Sequence, residues 1–350
     1  MYPNGQSRDS AFNYASSGSG PILRVRNLKK HFLVRQALVD RIRGIPAPKV
    51  MALDGVSFEL MPTESLGIVG ESGCGKSTLA RCLVFLHRAD EGRIEFEGSD
   101  ITNSSGMELR RVRGHMQMVF QDPYSSLNPR MTIGTAIAEA ARFHKKILND
   151  ENEDTYVRKL LQLTGLTPGT ALKRPHALSG GQRQRVALAR ALAVEPRIII
   201  ADEIVSALDV SIQAQILNLL QELRNELGLA VVFISHDLAV VANTTDRVAV
   251  MYLGKIVEEG PTAAVFNEPQ HPYTKALIAA HPDPEMDSRM NSNPLRGEIP
   301  SLLAIPTGCR FQTRCTFAEE ICSRVEPQLL DLPKRAIGHK AACHVMPFDG

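Results

Sequence analysis

Gly70-Glu71-Ser72-Gly73-Cys74-Gly75-Lys76-Ser77 has the spacing of a loop that cradles phosphate, with four residues between the outer glycines and Lys-Ser at its close. Glycines let the backbone curl until its N–H groups point at phosphate oxygens, and the helix that follows adds partial positive charge at its N-terminus. Lys76 brings a full charge to the β- and γ-phosphates of a nucleotide, and Ser77 offers a hydroxyl to Mg²⁺. A chance glycine-rich turn would carry the same letters. The context argues otherwise: an apolar strand ends at Val69 and a helix begins near Lys76. A second constellation is Ile198-Ile199-Ile200-Ala201-Asp202-Glu203, an apolar strand that delivers two adjacent carboxylates to its C-terminal end. Ligands sit at that end in open α/β sheets. Asp202 is suited to hold magnesium through water, and Glu203 to polarise an attacking water. Without the phosphate loop upstream, such a pair would be a solvated strand end. A third is Leu178-Ser179-Gly180-Gly181-Gln182, which opens a helix and makes a second anion-binding N-terminus. Standing alone it would be an ordinary helix cap.

These residues need elements to hold them. Short β-branched or apolar runs predict strands at Ile22–Asn27, Val56–Leu60, Ser65–Val69, Arg93–Phe96, Gln117–Phe120, Arg197–Ala201 and Ala230–Ile234. Helical patterns cover Lys76–Leu86, Thr132–His144, Glu153–Thr164, Gly181–Val194 and Ile212–Leu227. The alternation predicts an α/β core with a largely parallel sheet. The block from Pro123 to Ala193 reads as almost all helical, a helical subdomain inserted between core strands. The polar residues 1–20 read as a disordered leader, 21–260 as the catalytic domain, and 261–350 as a separate C-terminal appendage rich in Pro and Cys. The basic segment 36–49, with two prolines, reads as a surface insertion of unassigned role.

Composition narrows the class. Forty basic against 38 acidic residues leave a formal charge of +2, too near neutral to argue for nucleic acid. No run approaches the roughly 18 apolar residues of a spanning helix, and residues 1–20 lack the apolar centre of a signal peptide. The six cysteines are therefore expected in a reducing compartment, where metal binding outranks disulfides. Cys74 and Cys82 belong to the loop and its helix, where their thiols pack. Cys309, Cys315, Cys322 and Cys343 are separated by five, six and twenty residues. Four thiolates match the need of a [4Fe–4S] cluster. A structural zinc site usually offers a closer pair, but zinc stays open, as do four unpaired thiols. His344, beside Cys343, is an alternative ligand.

Taken together, the phosphate loop, the Asp-Glu strand and the Leu178–Gln182 motif running on into Arg183-Gln184-Arg185-Val186-Ala187 resemble the ABC ATPase family over about residues 22–282. The resemblance implies a P-loop NTPase of the ABC type that hydrolyses ATP with Mg²⁺. The ATP set it implies comprises Gly70, Ser72, Gly73, Cys74, Gly75, Lys76, Ser77 and Thr78, with Ser179, Gly180, Gly181 and Gln182 facing the ATP of an opposite chain in a head-to-tail dimer. It further implies that Phe32 stacks on adenine and that His236 touches the γ-phosphate. Gln121 senses magnesium and water, completing the Mg²⁺ set with Ser77 and Asp202, while Ser206-Ala207-Leu208-Asp209 meets the opposite subunit. Phe32 and His236 would otherwise be a packing residue and an unremarkable strand-end histidine. One departure is Ile204-Val205, where the family usually has proline and a small residue; a packing change is expected there, with the site intact.

Within the family the chain resembles the ATP-binding subunits of bacterial oligopeptide and dipeptide importers. The resemblance rests on Gln121-Asp122-Pro123-Tyr124-Ser125-Ser126-Leu127-Asn128-Pro129, Ser206–Gln213, His271-Pro272-Tyr273-Thr274 and Gly308-Cys309-Arg310-Phe311, and is closer to the second, F-type, ATPase chain of those systems. It implies a heterodimer with a second ATPase subunit, two transmembrane permease subunits and an extracytoplasmic substrate-binding protein. The expected place is peripheral, on the cytoplasmic face of the inner membrane, with no nucleic-acid partner. Related subunits with a similar cysteine tail carry an iron–sulfur cluster. Competing readings are an importer for nickel or another small solute, a non-transport ABC ATPase acting on nucleic acid or the ribosome, and a metal- or redox-sensing regulator.

Overall fold

The computed structural model describes residues 20–34, 47–122, 127–146, 153–280, 297–298, 300–333 and 335–345. The expected leader, the greater part of segment 36–49 and Pro123–Ser126 of the importer-like motif lie outside them.

Strand β1 (Leu23–Leu33) pairs antiparallel with β2 (Lys49–Leu60). It outruns the predicted Ile22–Asn27 because Asn27 ends nothing: its positive φ of 51° sits at a register shift, and pairing resumes at Leu28. Strand β3 (Ser65–Val69) delivers the phosphate loop to α1 (Lys76–Leu83). That helix stops short of the predicted Leu86, with Phe85 left-handed at φ 58°. Strands β4 (Glu91–Phe96) and β5 (Ser99–Asp100) complete a four-stranded sheet in the order β2-β1-β4-β5. After α2 (Gly106–His115) and β6 (Met116–Val119) comes the helical layer: α3 (Ile133–Phe143), α4 (Glu153–Leu163) and α5 (Gly180–Leu192). It is less continuous than expected. Between α4 and α5 lie two short 3₁₀ turns, Pro168–Leu172 and Pro175–Ala177, each opened by the proline that bars a longer helix.

The main sheet is completed by β7 (Ile198–Asp202), α6 (Val210–Leu227), β8 (Ala230–Ile234), α7 (Leu238–Thr244), β9 (Arg247–Tyr252) and β10 (Lys255–Pro261). Strands β9, β3, β8, β7 and β6 lie side by side and parallel. All of β7 and β8 is buried, as parallel strands covered on both faces must be. Ile198 and Ile200 pack toward α1 and the antiparallel sheet, whereas Ile199 and Ala201 pack toward the helical layer. Strands β9 and β10 are absent from the sequence-based expectation. They form a hairpin whose two-residue turn, Leu253-Gly254, has positive φ at both positions (42° and 81°).

Beyond Gly260 the chain is more regular than its sequence suggests. Helices α8 (Thr262–Asn267), α9 (Pro272–Ala279) and α10 (Glu320–Arg324) are followed by β11 (Leu330–Asp331) and β12 (Lys340–Ala341). Strand β12 pairs with β10, and β11 with β12, so the sheet that carries the phosphate loop runs on into the cysteine-bearing region. The junction is fastened by Glu258 of β10, which is fully buried. Its carboxylate accepts the N–H of Gln270 at 2.7 Å and of His271 at 2.9 Å, and meets His339 Nε2 at 2.8 Å. His271 in turn caps α9, its Nδ1 accepting the Tyr273 N–H at 3.0 Å.

Burial pushes His271 down to about 4. The folded protein thus refuses a proton that an unfolded histidine takes near 6.5, so the unfolded state binds more protons between those values and stability rises with pH there. Urea unfolding should lose about 3 kcal/mol from this group as pH falls from about 6.5 to about 4. His115 and His144, also pushed down by burial, act in the same direction. His271→Asn, which keeps a capping side chain, should flatten part of the slope.

Candidate active site

The phosphate loop is shaped by its neighbours. Gly70 has φ 151° and Gly75 φ 112°; a Cβ at the first would run into the Met251 carbonyl oxygen, and at the second into that of Ala52. The loop is also stitched to the β9–β10 turn, the Gly254 N–H donating to the Cys74 carbonyl at 2.8 Å. Lys76 is buried, and its Nζ donates to the Gly70 and Glu71 carbonyls at 2.6 and 3.0 Å. Its charge therefore rests on the rim of the cradle. The Cys74 thiol is buried beneath it, and burial pushes that thiol up, as expected of a packing residue.

Ser77 Oγ donates to Asp202 Oδ1 at 3.2 Å, which brings the loop and the Asp-Glu strand together. Desolvation raises the Asp202 carboxyl, with Ser77 opposing and the neighbouring Glu203 adding to the rise. A hydroxyl and a desolvated carboxylate are the hard oxygen donors a divalent cation favours, so the residues fit Mg²⁺. Glu203 turns away from the strand with φ 50°, its N–H donating to the Ile234 carbonyl at 3.0 Å. This turn sets its carboxylate 3.4 Å from His236 Nδ1, on the neighbouring strand end. Gln121 Nε2 donates to Ser206 Oγ at 3.2 Å, and that hydroxyl donates to the Glu203 carbonyl at 3.0 Å. Lys76, Ser77, Asp202, Glu203, His236 and Gln121 thus belong to one contiguous site. Ile204 and Val205, the departure from the family pattern, are both buried in the core.

Other expected residues lie apart from this cluster. Ser179 and Gln182 form a reciprocal capping box at the start of α5. Gly180 and Gly181 approach Leu208 and Ile212, so the helix start packs against the segment that follows Ser206. Ser179, Gly180 and Gln182 are exposed. Phe32 is 36% exposed at the end of β1, edge-on to His87 with ring centroids 5.3 Å apart.

The four tail thiols influence one another. Cys309 is raised to about 11 and Cys343 to about 12, chiefly by burial, with each further raised by other thiols of the set. The Gln312 N–H donates to the Cys309 carbonyl at 3.2 Å, and the Cys315 N–H to the Gln312 carbonyl at 3.4 Å. Among the described residues no group of three or more Cys, His, Asp or Glu side chains is drawn close enough to hold a single metal ion. His344 is engaged elsewhere, its Nε2 2.9 Å from the Val325 carbonyl.

Sequence reasoning missed how the importer-like motifs serve the site. His271-Pro272-Tyr273-Thr274 sets Tyr273, fully buried, between Tyr252 and Phe311 with its hydroxyl 2.8 Å from the Glu71 nitrogen. In Gly308-Cys309-Arg310-Phe311, the Cys309 N–H donates to the Cys322 carbonyl at 2.7 Å, while the Arg310 guanidinium donates to the Asp54 carboxylate and the Leu253 carbonyl.

Residues 53–206 match the family model described as ABC transporter, and residues 257–322 that described as the oligopeptide/dipeptide transporter C-terminal region. The chain is 47% identical to the oligopeptide transport ATP-binding protein OppF of Salmonella typhimurium over 88% of this chain and 92% of that one. It is also 47% identical to AppF of Bacillus subtilis over 93% and 97%. The chain belongs to the ATP-binding subunits of oligopeptide and dipeptide ABC transporters. Among solved structures, cbiO1 of Clostridium perfringens, part of an ABC transporter complex, matches with TM-score 0.61 and 29% identity over 71% of this chain and 92% of that one. A dimeric bacterial ABC transporter cassette, MJ0796, matches with TM-score 0.58 and 28% identity over 69% and 98%. As an ABC transporter ATP-binding subunit, this protein is an ATPase with an ABC-type P-loop α/β fold, and no described helix is long and apolar enough to cross a membrane.

Gly75→Ala should weaken Mg-ATP binding at least about tenfold, because the added methyl group must displace either the loop or the Ala52 carbonyl. Titration with a fluorescent ATP analogue measures this, with circular dichroism unchanged as the control for folding.

Proposed function

We propose that this chain hydrolyses ATP with Glu203 as general base and thereby powers import of peptides across the bacterial inner membrane. The observation that carries the base assignment is the convergence of two pairs: Ser77 with Asp202 at 3.2 Å and Glu203 with His236 at 3.4 Å. Ser77, Asp202 and Gln121 would hold Mg²⁺, which when bound neutralises charge on the transferring phosphate. Lys76 leaves the Gly70 and Glu71 carbonyls for the phosphates, and the loop amides from Ser72 to Thr78 complete the cradle. Glu203 orients the attacking water and takes its proton, and His236 lies where the γ-phosphate would come to rest. Phe32 offers its exposed ring to adenine. The exposed Ser179, Gly180 and Gln182, with the buried Gly181 between them, face the ATP of an opposite chain, so each site is shared.

The assembly we infer is a heterodimer with a second ATPase chain, seated on two permease subunits and served by an extracytoplasmic substrate-binding protein. Peripheral attachment to the cytoplasmic face follows. A groove of about 390 Å³ between β6, α3 and α5, lined by Met118, Phe120 and Phe143, supports reception of a membrane partner beside Gln121. The names and coverage of the relatives favour peptide over nickel or nucleic acid. In the tail, the free and at least partly buried thiols of Cys309, Cys315, Cys322 and Cys343 suit a [4Fe–4S] cluster. A four-iron cube also tolerates thiols too far apart for one zinc ion.

Glu203→Gln keeps the shape and removes the base. Turnover should fall more than about 100-fold while the Kd for ATP stays within a few-fold; near-normal turnover rejects the assignment. For the tail, anaerobic purification should yield brown protein with about four iron and four sulfide per chain. Colourless protein with one zinc, or none, means that the thiols serve another purpose.

A further inference from the structure

Glu71, the second residue of the phosphate loop, is held mainly from outside that loop. Its N–H donates to Tyr273 Oη at 2.8 Å. Its carboxylate receives both terminal nitrogens of Arg314, at 2.6 and 3.0 Å. Its carbonyl accepts Lys76 Nζ, the charge meant for the phosphates, at 3.0 Å. Tyr273 and Arg314 both come from beyond residue 260, and both are buried: Tyr273 is fully enclosed and Arg314 is 8% exposed. They are also joined to each other. Tyr273 packs on Tyr252 and Phe311 with centroids 4.6 and 5.4 Å apart, and Arg314 Nη1 reaches Tyr252 Oη at 3.4 Å. A two-pronged guanidinium–carboxylate pair out of water fixes an orientation that a solvent-exposed pair would not.

Resting on the reading of residues 70–77 as the ATP phosphate loop, we propose that Tyr273 and Arg314 are positioning residues for ATP. By fixing the Gly70–Glu71 peptide plane through its N–H and the Glu71 side chain through its carboxylate, they set the Gly70 and Glu71 carbonyls against which Lys76 rests, and so the energy with which Lys76 turns to the β- and γ-phosphates. They touch no nucleotide themselves. Their removal acts on ATP affinity and leaves Glu203, across the site, its chemistry.

The test uses the full chain and Mg-ATP. Tyr273→Phe removes one hydroxyl and leaves the aromatic nest filled; Arg314→Gln removes the charge and Arg314→Lys returns it without the fork. Tyr273→Phe and Arg314→Gln should each raise the Kd and the KM for ATP about tenfold while kcat falls less than about threefold. Arg314→Lys should recover part of the loss. Combined with Glu71→Gln, Arg314→Gln should cost no more than either change alone. Unchanged Kd and KM in Tyr273→Phe and Arg314→Gln overturn the proposal. So does an additive double variant, or loss confined to kcat. Lys76→Ala, measured alongside, separates the two readings. If it too leaves ATP affinity intact, the loop assignment fails; if it alone abolishes binding, only the positioning role fails.

Discussion

Gly70 lies against the Met251 carbonyl and Gly75 against that of Ala52, with no room for a methyl group at either place. A loop that turns its amides toward a ligand has spent the groups that would otherwise hold its shape, and glycines bring no side chains to replace them. The shape must come from the surroundings. Here it comes from β2, from the β9–β10 turn through the Gly254 N–H, and from Tyr273 and Arg314 at Glu71. The parallel strands put Asp202, Glu203 and His236 at the right height, but the floor and back wall of the cradle are antiparallel structure and tail.

That division explains what could be read from the letters. The loop, the Asp202-Glu203 strand and the helix opened by Ser179 are local signals, each carried by consecutive residues whose chemistry and conformation agree. Ser65–Val69 and Ala230–Ile234 were legible to the residue as short runs buried along their whole length, while the equally buried β7 lies one residue further on than expected, its apolar run closing on Asp202. Strand β1 was not, since Asn27 marks a bulge inside a strand and looks like its end. The β9–β10 hairpin was missed because its turn uses Leu253 in a left-handed conformation where Asn or Asp would be the usual signal. The roles of Tyr273, Arg314 and Glu71 were out of reach, since contacts made across 202 and 243 residues leave no periodic trace.

The Glu203 end of the site shows the same economy. Glu203 sits at φ 50°, a conformation that costs a side-chain-bearing residue energy, and Ser206 holds its carbonyl at 3.0 Å while also receiving Gln121. The carboxylate is thereby aimed toward His236 while Asp202 meets Ser77, so two acids adjacent in sequence face different partners. Burying Ile204 and Val205 just after it fixes the chain's exit without the proline usual at that place.

The pairing of Glu258 with His339 spans 81 residues. A ribosome releases β10 well before β12, so a newly made chain holds a nearly complete main sheet whose last edge is open. During that interval Glu258 has at most the amides of Gln270 and His271 for company, and the backbone of β10 is free to pair with any strand it meets. Closing that edge is thus a late docking step of high contact order. The nascent protein is most exposed to misassociation after β10 is made and before β12 arrives to pair with it, an interval in which chaperone protection would matter most.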